Sequence, residues 1–331
     1  MDLSTKYLGL NLPHPIMTGA SPMVDDLGLV KRLEDAGVAA ITMHSLFEEQ
    51  ITREQQGMVY NMDLVNNSNA EALSYFPQAE DFRLGPHQYL EQIRLIKQAV
   101  NVPVIASLNG TTAEGWLQYA ELIEQAGADG LELNVYHVAA DPTETGVAVE
   151  RRVLDIVRAI KGAVKLPIAV KLSPYYSSVS HLAAQLDGLG VESLVVFNRF
   201  YQPDFDMNVL EVVSTLHLST SQDLLLRLRW LAVLFGRTKA ALAITGGVHT
   251  PEDALKAVMA GASGVQVVSS VLQRGPEHIK ALVDGMRVWL EAHEYASLKQ
   301  ALGSMSLERN PSPAAFERAN YMKVLAAYRM A

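Results

Sequence analysis

The sequence predicts one closed (β/α)8 TIM barrel. Three patterns point to it: eight short apolar runs, helical periodicity between most of them, and a two-strand unit that recurs four times. One kind of strand follows a helix end, a small residue or Leu, and a Gly. It begins after Asp35-Ala36-Gly37, Gln125-Ala126-Gly127, Gly188-Leu189-Gly190 and Met259-Ala260-Gly261. The Gly suits the residue just past a helix, where a positive φ is needed. The other kind starts at Pro15, Pro103, Pro167 and Ala241. A Pro at the first residue of a strand removes no ladder hydrogen bond. The two kinds alternate strictly. Near-continuous apolar strands separated by helices argue for a parallel sheet covered on both faces. An open doubly wound sheet fits that alternation too, but four matched pairs favour closure.

In chain order, helical patterns cover 26–36, 86–99, 113–126, 147–163, 178–188, 221–235 and 251–260, and a further helix near 275–291 follows the eighth strand. Residues 44–85 link strand 2 to its helix, and 199–220 follow strand 6. Loops of this length are usually lids or carry small elements of their own. Both leave the C-terminal ends of strands, the face on which barrel enzymes build their sites. Residues 1–292 are read as the barrel and 293–331 as a C-terminal helical extension of the same domain. Its helix over 313–328 is expected to pack on the barrel or on a partner subunit.

The 331 residues and 49% hydrophobic content suit one large core. A net charge of −9 argues against a nucleic-acid partner, whose sites are basic. No apolar run reaches the roughly 18 residues of a membrane span, and the start MDLSTK is unlike a signal peptide, so a cytoplasmic protein is expected. The absence of Cys excludes disulfides, thiolate nucleophiles, iron–sulfur ligation and a cysteine base. No His, Asp and Glu residues share a metal-ligand spacing, so no metal is expected.

The strand C-terminal ends carry Thr18-Gly19-Ala20-Ser21, His44-Ser45, Ser107 and Asn109, Asn134, Lys171, Asn198, Gly246-Gly247 and Ser269-Ser270. Small residues, amides and one Lys dominate. Glu132 is expected to point away from them. Such a ring suits a large planar polar ligand better than it suits hydrolysis. Gly246-Gly247 allows backbone N–H groups to approach an anion, and Ser269-Ser270 opens a short helical segment; the loops after strands 7 and 8 are the usual phosphate seat of this fold. Lys171 could neutralise charge on a reduced flavin or form a Schiff base.

Together these pieces resemble the dihydroorotate dehydrogenase family from about residue 2 to 290. The opening DLSTKYLGLNLPHPIMTGAS is similar to the family's first strand, which implies that Ala20 and Ser21 lie against the flavin. VKLSPYY is similar to the strand that carries the flavin-contacting Lys, here Lys171. The segment ITGGVHTPEDALKAVMAGASGVQVVSSVLQRGP is similar to the FMN-phosphate region and implicates Gly246, Gly247, Ser269 and Ser270. Asn134, Asn198 and Asn67 fall where the family contacts its substrate. The resemblance implies FMN as cofactor, a small-molecule substrate oxidised by hydride transfer to flavin N5, a separate electron acceptor and a homodimer. The soluble fumarate-using branch, or an unassigned soluble relative, is the expected neighbour; the quinone-using branch carries an N-terminal membrane-associating extension not seen in this sequence, and another branch passes electrons to a separate iron–sulfur flavoprotein.

Three positions depart from the family. The loop after strand 4 reads Asn134-Val135-Tyr136-His137-Val138-Ala139, with His137 where the family has a Cys or Ser base and Ala139 where it has a substrate Asn. An imidazole is a capable base near neutral pH, so His137 is the candidate general base. His44 stands in place of a strand-2 Lys, and Ser219-Thr220-Ser221 replaces a Gly-rich turn. Two alternatives remain at this point: an FMN-binding module without turnover, and a flavin-free lyase using Lys171 as a Schiff base.

Overall fold

The computed structural model describes residues 1–47, 50, 85–110, 113–135, 137–199, 202–213, 216–316 and 320–327. The chain starts as an antiparallel hairpin of β1 (Thr5–Tyr7) and β2 (Leu10–Leu12), which the apolar run TKYLGLNL does not announce. Six parallel strands follow: β3 (Ile16–Thr18), β4 (Ile41–Phe47), β5 (Val104–Asn109), β6 (Gly130–Asn134), β7 (Ile168–Lys171) and β8 (Ser193–Val196). A small hairpin, β9 (Asp204–Asp206) with β10 (Glu211–Val213), occupies the long segment after β8, as its length led one to expect. β11 (Ala241–Thr245) and β12 (Ala262–Val267) complete the sheet, whose order is β3-β12-β11-β8-β7-β6-β5-β4. The ends of that order meet: Ala39 N–H donates to Ile16 O at 3.0 Å and Thr18 N–H to Ala40 O at 3.1 Å. All eight predicted strands are thus barrel strands.

The helices lie where the periodicity puts them, within a residue or two at most ends. Pro86–Ala99, Ala113–Ala126 and Pro251–Ala260 match in full. The run 221–235 divides into a 3-10 turn, Ser221–Asp223, and the helix Leu224–Leu234. The helix after β12 is also double, Ser269–Arg274 and then His278–Ala292. Near the C-terminus, the described residues of the predicted span 313–328 form a 3-10 turn at Pro313–Phe316 and the helix Asn320–Ala327. Before them, Gly303, Met305 and Leu307 donate their N–H groups to Val258, Met259 and Ala232, which lays this stretch on the barrel's outer helices. Among the described residues no helix is long and apolar enough to cross a membrane.

Two apolar cores follow from the alternation of strand side chains. The larger fills the space between sheet and helices, for example Ile41, Val104, Leu131, Val170, Leu194 and Ile244. The smaller lies inside the barrel, where Met17, Ile105, Ala169, Val195 and Ala243 meet Tyr7 and Leu8 of the hairpin. Leu8 N–H donates to Ser193 Oγ at 3.0 Å, and the Leu8 side chain packs at the first residue of β6, Gly130. The hairpin therefore closes the N-terminal base of the barrel and leaves its C-terminal mouth for ligands.

His14 ties this base to the first helix. Its Nδ1 accepts from Ile16 N–H at 3.3 Å while Nε2 donates to Gly37 O at 2.7 Å, so the ring is neutral. Burial lowers its pKa from 6.5, with the Gly37 carbonyl pulling the other way. Protonating Nδ1 would forfeit the bond from Ile16. The contribution is complete above the unfolded value of 6.5 and is lost as pH falls through it towards the lower folded value. Urea denaturation at about pH 7.5 and about pH 5.5, which bracket the imidazole range, is expected to show a larger loss for wild type than for His14→Gln. Equal losses would clear His14.

Candidate active site

A cavity of about 650 Å³ opens at the C-terminal mouth, within the range of small-molecule sites. Of the residues singled out in the sequence, Ala20, Ser21, Asn134, Lys171, Asn198, Gly246, Gly247 and Ser269 all line it. Residues more than 200 positions apart share this wall because each ends a neighbouring strand. Ser270 is fully buried and does not line the cavity. Asn67 lies outside the described residues. His137 is not among the lining residues: its Nε2 is 3.2 Å from Glu144 Oε2, and the same carboxylate pairs with Arg152.

Glu132 corrects the sequence reading. It points into the barrel, fully buried, and its carboxylate pairs with Lys171 Nζ through one oxygen and accepts from Gln266 Nε2 at 2.6 Å through the other. The signal was present, since Glu132 and Asn134 are two apart on one strand and must share a face. The register sets Asn134 beside Lys171, so Glu132 sits one layer beneath the cavity floor. Burial, reinforced by the charge on Glu132, holds the Tyr7 phenol well above its ordinary pKa.

Two groups escaped the sequence reading, Asp25 and Arg199, and a third, Ser219, stood there only as a departure from the family. Asp25 lines the cavity with its Oδ1 2.7 Å from Nδ1 of His44, whose ring also meets Tyr89 edge-on at 5.0 Å. Arg199, next to Asn198, adds a cation to the wall. Ser219 links the loops after β8, β11 and β12: its N–H donates to Ser269 Oγ at 3.1 Å, its Oγ accepts from Gly247 N–H at 3.3 Å, and His249 Nε2 lies 3.3 Å from that oxygen. Burial lowers the His249 pKa. Gly246 and Gly247 adopt φ of +87° and +85°, the left-handed conformation that turns both residues along the cavity wall.

A phosphorylated flavin offers an anionic tail and a planar ring with polar edges. Ser21 Oγ and Asn134 Oδ1, both on residues that line the cavity, are buried and unpartnered among the described residues. Buried polar atoms of this kind are normally satisfied, so a polar ligand edge suits them. A glycine turn without side chains, hydroxyls and one Lys match a phosphate tail and a planar heterocycle. Among the described residues no three His, Cys, Asp or Glu are grouped to hold a metal. The residues fit.

The family model for dihydroorotate dehydrogenase matches residues 3–290, the entire barrel. The chain belongs to this family. Dihydroorotate dehydrogenases are flavoproteins and oxidoreductases acting on CH–CH donors. The chain is similar to the dihydroorotate dehydrogenase B (NAD(+)) catalytic subunit of Thermoplasma acidophilum, 26% identical over 310 residues, covering 91% of this chain and 98% of the relative. The subunit of the same name from Methanocaldococcus jannaschii is 25% identical over 312 residues, covering 91% and 97%. A relative in Aeropyrum pernix, whose name assigns it provisionally to the A (fumarate) type, is 27% identical over 223 residues, covering 65% and 72%. The names of these relatives thus include both types.

Proposed function

We propose that this protein is an FMN-dependent dehydrogenase that oxidises dihydroorotate or a closely related cyclic imide. The observation that carries the reading is the convergence of Lys171, Asn134, Asn198, Ser21 and the Gly246-Gly247 turn on one cavity, in a chain of this family. Bound FMN would supply the hydride acceptor, its N5. The phosphate is assigned to Gly246, Gly247 and Ser269, with Ser270 buried behind them, and the ring edge to Ala20, Ser21 and Lys171, the last holding charge near N1. Asn134 and Asn198, with Asn67, are assigned to the substrate's carbonyl and imide edges. The family match favours this dehydrogenase over a lyase working through Lys171.

The proton that leaves the substrate needs a base, and His137 is the proposed one. Its pairing with Glu144 would orient the ring. Because His137 stands outside the cavity wall, the reading requires the loop after β6 to bring it to the substrate. We further propose a cytoplasmic homodimer that passes electrons to a separate acceptor.

The purified protein is expected to show a flavin spectrum that anaerobic dihydroorotate bleaches. Removing a general base typically costs two to four orders of magnitude, so bleaching by His137→Ala is expected to be roughly 100- to 10,000-fold slower. Equal rates would remove His137 from the mechanism. A colourless protein that takes up no FMN would remove the flavin reading as a whole.

A further inference from the structure

The helix Leu224–Leu234 begins directly behind the Gly246-Gly247 turn, and its buried stripe runs Leu224, Arg227, Leu231, Leu234. An Arg at a core position of an apolar helix calls for a reason. Arg227 is 8% exposed. Its Nε donates to Thr245 O at 2.5 Å and its Nη1 to Asp223 O at 2.6 Å. The rest of the guanidinium lies against Gly246: a Cβ on that residue would stand 3.1 Å from Nη2 and 3.3 Å from the central carbon. Among the described residues no carboxylate pairs with Arg227. The Asp223 carboxylate is turned instead to the N–H and hydroxyl of Thr220. Burial and the neighbouring charge of Arg199 disfavour the cation, and only Asp223 opposes them.

A buried cation bonded to two carbonyls and to no carboxylate, with only the more distant charge of Asp223 to offset it, is a costly arrangement unless a further charge arrives from elsewhere. The nearest place open to such a charge is the other face of the same turn, where Gly246 and Gly247 line the cavity. One backbone layer separates the guanidinium from that face, so it would act by Coulomb attraction and not by contact. Across a few ångströms of protein, one unit charge on a phosphate changes affinity by roughly 10- to 100-fold.

We infer that Arg227 is the residue that makes this seat select a phosphate monoester, holding a phosphorylated ligand and discriminating against its dephosphorylated form. The identity of that ligand as FMN rests on the function proposed above; the preference of the seat for a phosphate dianion does not.

The test uses the full-length apoprotein, titrated with FMN and with riboflavin by quenching of flavin fluorescence. Thermal stabilisation by inorganic phosphate is measured alongside. Wild type is expected to prefer FMN. Arg227→Met is expected to lose roughly 10- to 100-fold in FMN affinity with riboflavin binding unchanged, and to lose the phosphate stabilisation. Arg227→Lys, which keeps the charge without the paired carbonyl bonds, is expected to retain most of the preference.

Equal losses for FMN and riboflavin would mean that Arg227 only shapes the turn, and would overturn the inference. So would a Lys variant with no preference, which also decides the matter should the Met variant fail to fold. A wild type that binds neither flavin yet gains stability from phosphate through Arg227 would sink the flavin reading and leave the selective seat standing. No response to either flavin or phosphate would overturn both.

Discussion

Replacing Lys171 with Met is expected to destabilise the protein by about 3–5 kcal/mol, the usual result of stranding one member of a buried ion pair. Glu132 is fully buried and Lys171 is 5% exposed, so solvent cannot take over the role of the missing partner. Gln266 would still donate to one carboxylate oxygen, but the other would be left without a donor. The double variant Lys171→Met with Glu132→Gln removes both charges and is expected to recover most of that stability. Chemical denaturation of the two single variants and the double decides this, and additive losses would mean that the pair is not coupled. If Lys171 serves the flavin as proposed, the double variant regains stability without regaining flavin reduction. That contrast separates the structural role of the pair from the chemical role of the amine.

The second large effect is expected at the anion seat. Gly247→Ala would place a Cβ 2.5 Å from Leu224 N and 2.8 Å from Leu224 Cα, both backbone atoms that cannot rotate away. The residue also sits at φ +85°, where an L side chain is strained by roughly 1–2 kcal/mol. Forced overpacking adds about 1–3 kcal/mol, and relief requires the turn to move from the start of the helix behind it. Both thermal stability and FMN retention are therefore expected to fall. Gly162→Ala is the control, because it lies in the helix Gly146–Ala163 with nothing within 4 Å of the added Cβ. It is expected to be neutral or stabilising by about 0.4–1 kcal/mol. Similar losses at both positions would refute the steric argument.

The barrel was legible because its signals are local. The helix-ending glycines, the strand-opening prolines, the continuous apolar runs and the 3.6 period each span a few residues, and their alternation fixes the architecture. The cavity ring was legible for the same reason, since a residue at the end of a parallel barrel strand has one place to be. What escaped depends on distance or direction. Leu8 meets Ser193 across 185 positions, so the hairpin at the base left no local mark. His137 is held by Glu144, seven residues on, but where that pair points is decided by the loop's path. Glu132 was misjudged although its two-residue spacing from Asn134 gave the answer; the apolar surroundings of LELN outweighed it. Arg227 follows the same logic on a helix, three after Leu224 and four before Leu231.

The hairpin under the barrel has a corollary for access. With Tyr7 and Leu8 stoppering one end, the described part of the barrel is a cul-de-sac. Any molecule that must touch a group lodged there comes to it from the side of the C-terminal mouth, never along the barrel axis from below.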